Sequence, residues 1–294
     1  MRSQAEELLG DNKSVIIGVN GSIARREMTS GSDVDLFVFS TKEHLEKARE
    51  IQNKFRTCLQ DKGIKMPAAG GVFENPISTS ELTSKIGGED DTNTYITRRM
   101  LYLLEGEWIA NQTEFEALRK RLIERYVPDD LDNHKFCRFL LNDIIRYWRT
   151  ICVDFEHKTA DATKPRAIRL IKLRFSRMML YFGGVAAVRE TADLSASQKR
   201  ETLVELLSKP PIERIRSVFG EQETQKAMNA YAFFLQALDD TSTRSALNLP
   251  GSGGLKTQQY KDLCDKAREF RDELQGLLLP SGAPVNDIAS ALMF

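Results

Sequence analysis

The sequence predicts an α+β N-terminal domain, built as a small mixed sheet with helices, followed by an all-α helical-bundle C-terminal domain. Three observations carry that reading. Two short apolar runs of strand character lie within the first 40 residues, the pattern beyond Glu74 turns almost wholly helical, and Pro128-Asp129-Asp130 punctuates the change. The expected division is therefore residues 1–127 and 128–294.

Each element follows from local pattern. Gln4 to Leu9 suggest a short helix, Ser14 to Asn20 a first strand, Ser22 to Glu27 a helix, and Asp33 to Phe39 a second strand. Thr41 heads a helix to Lys62, amphipathic through Leu45, Ala48, Ile51, Phe55 and Leu59, with Gly63 as its stop. Ile64 to Glu74 read as one or two short strands around a loop containing Pro67, Gly70 and Gly71. Helices are then expected near Thr79–Ile86, Thr92–Glu105, Gln112–Tyr126, Leu131–His157 and Pro165–Gly183. Further ones are expected near Ser195–Leu207, Pro211–Phe219, Glu221–Leu238 and Leu255–Leu278. Asn248 to Gly254 form a loop, and the tail from Pro280 is expected to fray.

Composition narrows the function. The chain has 294 residues, 41% hydrophobic and 29% charged, in the range of ordinary globular proteins. Lys plus Arg and Asp plus Glu both number 42, a balance that argues against coating nucleic acid by bulk charge. The window from Leu131 to Leu180 is an exception, with eleven basic against five acidic residues. No apolar run reaches the roughly 18 residues of a membrane span, and the first residues lack a signal-peptide core, so a cytoplasmic address without membrane association is expected. Cys58, Cys137, Cys152 and Cys264 are too scattered for a metal motif and read as reduced side chains.

The chemistry concentrates between Ile16 and Phe39. Here a strand runs into Gly21-Ser22, and Asp33 and Asp35 follow in the next apolar strand. Alternation along a strand sends Asp33 and Asp35 to one side while Val34 and Leu36 point to the core. Two carboxylates facing one way repel unless a cation sits between them, and hard oxygen ligands suit Mg²⁺ or Mn²⁺ carrying a phosphate chain. Gly21 allows close backbone approach to a phosphate, and Ser22 would offer it a hydroxyl and an N–H at a helix start.

Gly21-Ser22, a short helix, then Asp33-Val34-Asp35 on a strand resembles the signature of the nucleotidyltransferase superfamily, the polymerase-β-like fold. Gly21-Ser22-Ile23-Ala24-Arg25-Arg26-Glu27 with Ser32-Asp33-Val34-Asp35-Leu36 looks more narrowly like the PII uridylyltransferases and the DUF294-type branch. Asn142 to Arg149 and Lys172 to Arg177 look like the helical part of DUF294-type proteins. The resemblance implies an NTP substrate, divalent metal held by Asp33 and Asp35, and transfer of a nucleotide to an acceptor hydroxyl with loss of pyrophosphate. It also implies a third carboxylate on a neighbouring strand. Many members place an aspartate in a more apolar strand at that point, whereas this chain offers Glu74, taken here as the third catalytic and metal-binding candidate. Glu89-Asp90-Asp91 competes with it but reads more simply as the acidic start of the helix near Thr92.

Further binding candidates are basic. Arg25 and Arg26 follow the Gly-Ser turn, where a guanidinium fork matches phosphate oxygens, although pairing with Glu27 is the plain alternative. Arg138, Asn142, Arg146 and Arg149 share one face of the helix from Leu131, and Lys172 with Ser176 shares a face of the next. Asn142, Arg146 and Lys172 are thus candidates for nucleotide or acceptor contact, against the alternative of an ordinary solvated face. Trp108 and Trp148 read as packing residues.

The expected function is metal-dependent transfer of an NMP to an acceptor, by resemblance a protein, with RNA or a small molecule as the other acceptors considered. The rival is a nucleotide-binding regulator or scaffold that transfers nothing. Oligomeric state is left open by the sequence.

Overall fold

A computed structural model describes residues 1–67, 70–133, 135–279, 288, 291 and 292. In chain order the elements are α1 (Arg2–Leu9), β1 (Val15–Asn20), α2 (Gly21–Ala24), β2 (Asp35–Ser40), α3 (Leu45–Asp61), β3 (Ile77–Ser78), α4 (Thr79–Ser84) and α5 (Asn93–Glu105). There follow β4 (Glu107–Ala110), α6 (Gln112–Tyr126), α7 (Arg138–Thr159), α8 (Arg166–Lys172), α9 (Met178–Arg189) and α10 (Ala196–Ser208). The remainder are α11 (Pro211–Phe219), α12 (Glu221–Asp239), α13 (Thr241–Leu247) and α14 (Gln258–Leu278). The small mixed sheet followed by a mostly helical remainder is the expected class.

The chain packs as two units. One holds residues 1–133 together with 194–210, the other 134–193 with 211–294. α10 therefore belongs with the first unit, although it lies beyond the division expected at residue 127. Its contacts explain why. Lys199 is fully buried and donates through Nζ to the carbonyls of Leu194 and, at 3.3 Å, Asn133, while Arg200 Nε donates to the Val127 carbonyl at 2.8 Å.

The sheet of the first unit has the order β3-β2-β1-β4, with β1 antiparallel to both β2 and β4 and β3 parallel to β2. The alternation of β1 and β2 gives two faces. Val15, Ile17, Val19, Leu36 and Val38 pack with Ala48, Ile51, Phe55 and Leu59 of α3 and Ala5 and Leu9 of α1. On the other side Phe37 and Phe39 stack with ring centroids 4.6 Å apart and meet Tyr102, and Phe37 and Tyr102 both meet Phe115. Gly18 makes room for this cluster, since a β-carbon there would lie 2.2 Å from the Phe37 ring.

Helices are the regular structure of the second unit among its described residues. Phe175 stacks on Phe234 at 4.6 Å and on Phe270 at 5.3 Å, with Tyr231 beside both. Between α8 and α9 the helix widens into a π turn over Leu173–Arg177, which places Phe175 and Ser176 inward.

Several expectations are corrected. Among the described residues of 64–74 there is no strand, and the sheet is joined only at Ile77, past the Pro76 that closes this irregular segment. β4 was not expected. It is four residues long, too short for alternation to declare itself, and is set off by Gly106 and by Asn111 in the left-handed region at φ 59°. α7 starts at Arg138 rather than Leu131, with the Asn133 carbonyl bonded to Lys199 instead of a helical N–H. α13 was also missed, capped by Asp240 accepting from Thr243 N–H at 2.7 Å. The fray expected from Pro280 falls outside the described residues apart from 288, 291 and 292.

Candidate functional site

The end of β1 and the start of β2 are fixed opposite each other, with Asn20 paired to Asp35 in the ladder. Cross-strand partners share a face of the sheet, so the Asn20 and Asp35 side chains leave on the same side. The chain then turns sharply. Gly21 adopts φ +73°, a region that L side chains strain to enter, and a β-carbon at Gly21 would stand 2.4 Å from Asp35 Oδ2. The glycine is thus required twice, once by its backbone and once by the carboxylate lying against it.

Asp33 precedes the strand instead of lying in it, and both aspartates are half-buried. The loop that delivers Asp33 is tied locally, with Thr29 N–H donating to Ser32 Oγ at 3.0 Å and Ser32 N–H to the Thr29 carbonyl at 2.9 Å. Val34 N–H donates to the Lys65 carbonyl at 3.0 Å, which holds the loop against the chain after α3.

α2 is a single turn, shorter than the expected Ser22–Glu27. It stops because Arg26 sits in the left-handed region at φ 60°. Ser22 is half-buried at its start, and its carbonyl accepts from Glu27 N–H at 2.8 Å. The two arginines are separated by this turn. Arg25 is buried, donating from Nε to Glu27 at 2.8 Å and from a terminal nitrogen to Glu105, whereas Arg26 is exposed. Glu27 is the ordinary local partner that the spacing offers Arg25, whereas Glu105 lies eighty residues further along and reaches it only through the fold.

Glu74 lies in the irregular segment before β3. It is exposed in a turn and accepts from Gly70 N–H at 3.1 Å. Among the described residues no three His, Cys, Asp or Glu side chains gather into a group able to hold a metal by themselves. Asp91, from the competing acidic cluster, is buried in a bidentate pair with Arg99 at 2.8 Å and serves structure. Two half-buried carboxylates, of which Asp35 lies against the Gly21 turn, fit a magnesium–triphosphate group, because Mg²⁺ is commonly held by one or two carboxylates plus the phosphates themselves.

One buried polar group lay outside the expectation. Asn20 is 2% exposed, and neither Nδ2 nor Oδ1 of its side chain has a hydrogen-bond partner among the described residues.

The remaining candidates lie in the second unit. Arg138, Asn142, Arg146 and Arg149 occupy an exposed face of α7, as their spacing predicts, with Arg146 paired to the buried Asp143 at 2.9 Å. Lys172 is exposed at the end of α8. Trp148 stacks on Tyr181 at 5.2 Å, and Arg2 lies 3.7 Å above Trp108, so both indoles are packing residues.

Residues 1–79 match the family model of the nucleotidyltransferase domain. The matched segment contains β1, the Gly21-Ser22 turn, both aspartates and β3, and it ends before β4. No curated protein matches the chain. The nucleotidyltransferase-domain match supports a transferase role for the first unit, and no described helix is long and apolar enough to cross a membrane.

Proposed function

We propose that the chain is a metal-dependent nucleotidyltransferase that moves an NMP from an NTP to an acceptor hydroxyl. The observation that carries the reading is the Asp35 carboxylate lying against Gly21 at the mouth of β1, inside the segment matching the nucleotidyltransferase domain. In the reaction the acceptor oxygen forms a bond to the α-phosphorus, the bond to the β-phosphate oxygen breaks, and pyrophosphate leaves. The acceptor's proton passes to a carboxylate or to solvent. Asp33 and Asp35 would hold Mg²⁺ or Mn²⁺, which when bound supplies charge neutralisation at the attacking and leaving oxygens. Gly21 and Ser22 admit the phosphate chain, and exposed Arg26 is better disposed to reach it than buried Arg25. Glu74 would act as third carboxylate by giving up its bond to Gly70 N–H.

The resemblance to the uridylyltransferase and DUF294-type branch favours a protein acceptor, with Asn142, Arg146 and Lys172 as candidate contacts of the helical half. A cytoplasmic location accords with this reading. The test is incubation with each α-labelled NTP, Mg²⁺ or Mn²⁺ and cell lysate, beside Asp33→Ala/Asp35→Ala. Labelled protein and released pyrophosphate, both lost in the double variant, are expected. Label in RNA or a small molecule instead would change the acceptor class.

One rival is an NTP-binding regulator without transfer, in which Glu74 keeps its bond to Gly70 N–H instead of serving as a third carboxylate. Measurable NTP binding without pyrophosphate release, whatever the acceptor, would establish it.

A further inference from the structure

We propose that Asn20 is a ligand-binding residue of this site, its carboxamide donating from Nδ2 to an oxygen of the bound triphosphate. The inference rests on the nucleotidyltransferase reading. It begins from the apolar character of β1, where Val15, Ile16, Ile17 and Val19 are all buried and the strand ends in the equally buried Asn20. A leucine, with the same number of side-chain heavy atoms, would satisfy burial there without polar atoms. The asparagine instead leaves both polar atoms without protein partners, an arrangement that lowers the stability of the ligand-free fold.

The ordinary structural use of an asparagine at this position is absent. Asn20 is the N-cap of α2, where a side-chain oxygen usually accepts from the N–H two or three residues on, yet its side chain makes no cap hydrogen bond. Backbone geometry does not explain it either, because Asn20 is extended at φ −120°, a conformation open to any residue. What distinguishes the position is its neighbours. Asn20 is paired across the ladder with Asp35 and immediately precedes Gly21, so its donor leaves the sheet on the Asp35 side, at the opening that Gly21 keeps clear. A neutral donor is suited to that place. It can face a phosphate without drawing charge from the aspartates, and a donor preset in a buried site needs little reorganisation when ligand arrives.

The decisive experiment measures the affinity of the full chain for each of the four NTPs and for tripolyphosphate, with Mg²⁺, in the wild type, Asn20→Leu and Asn20→Ala. Melting temperatures are taken without ligand. Loss of a hydrogen bond to a charged oxygen is expected to weaken NTP and tripolyphosphate alike by about ten- to a hundred-fold. Asn20→Leu is expected to melt at or above the wild-type temperature. Asn20→Ala removes the same atoms without adding bulk, so it reports on binding even if leucine disturbs folding. Wild-type binding with affinities in both variants within twofold of it would overturn the proposal and leave the nucleotidyltransferase reading standing. A lower melting temperature with unchanged affinity would assign Asn20 to the fold, bridged by a trapped water. Failure of the wild type to bind any NTP or tripolyphosphate would remove the reading and the proposal together.

Discussion

Asp35 occupies the space that a side chain at position 21 would need, its Oδ2 standing 2.4 Å from where a β-carbon on Gly21 would be placed. Gly21→Ala therefore meets two penalties, a left-handed backbone at φ +73° and a displaced carboxylate. The backbone term alone costs about 1–2 kcal/mol. Urea unfolding should register at least that loss, and NTP binding should fall by more than the stability change explains, because Asp35 is pushed from its place.

Arg26 offers the opposite case. Its φ of 60° is one that glycine accepts freely, so the backbone contribution of Arg26→Gly should favour the fold by up to about 1 kcal/mol, offsetting what the side chain contributes. The same substitution removes the exposed guanidinium proposed to face the triphosphate. An increase in the NTP dissociation constant with no loss of melting temperature is expected. Unaltered affinity would take Arg26 out of the site.

Arg25 should behave as a structural residue. Its guanidinium lies buried between Glu27 and Glu105, and removing one member of a buried ion pair leaves charge without compensation, at a cost of about 3–5 kcal/mol. Arg25→Met is expected to lower the unfolding free energy by that amount, read from the shift of the denaturant midpoint at unchanged m. A near-neutral result would show that the two glutamates find other partners.

Tyr102 gives a pH signature. Its hydroxyl is buried beneath the sheet and donates to the Phe115 carbonyl at 2.6 Å, and burial pushes its pKa well above the ordinary tyrosine value. An unfolded tyrosine ionises near pH 10 while the folded one holds its proton, so the contribution is present below that pH and lost as pH rises beyond it. Tyr102→Phe should cost about 1 kcal/mol at pH 7 by removing that hydrogen bond. Between about pH 9 and 11 it should lose stability less steeply than the wild type, as followed by urea unfolding at a series of pH values.

The parts legible in sequence are those whose signals are local. Asp33 and Asp35 with Gly21-Ser22 announce themselves by spacing, and α3 is legible from Ala48, Ile51, Phe55 and Leu59 recurring along one face before Gly63. β4 was not legible, since Trp108, Ile109 and Ala110 become a strand only by pairing with β1, some ninety residues earlier in the chain. Arg25 could not be told from a phosphate ligand because Glu105 is brought to it by tertiary packing. Asn20 passed unnoticed for the reverse reason. An asparagine before a glycine looks like punctuation until burial and the missing cap bond are both known.

The return of α10 to the first unit bears on the order in which the molecule is made. A nascent chain that has reached residue 133 already contains all four strands, Asp33, Asp35 and the Gly21 turn, but not the side chains that bind the carbonyls of Val127 and Asn133. Those arrive with Lys199 and Arg200, after residues 134–193 have been synthesised. The candidate site is thus made before its unit is complete, so the ribosome must deliver α7, α8 and α9 of the second unit before the first can close.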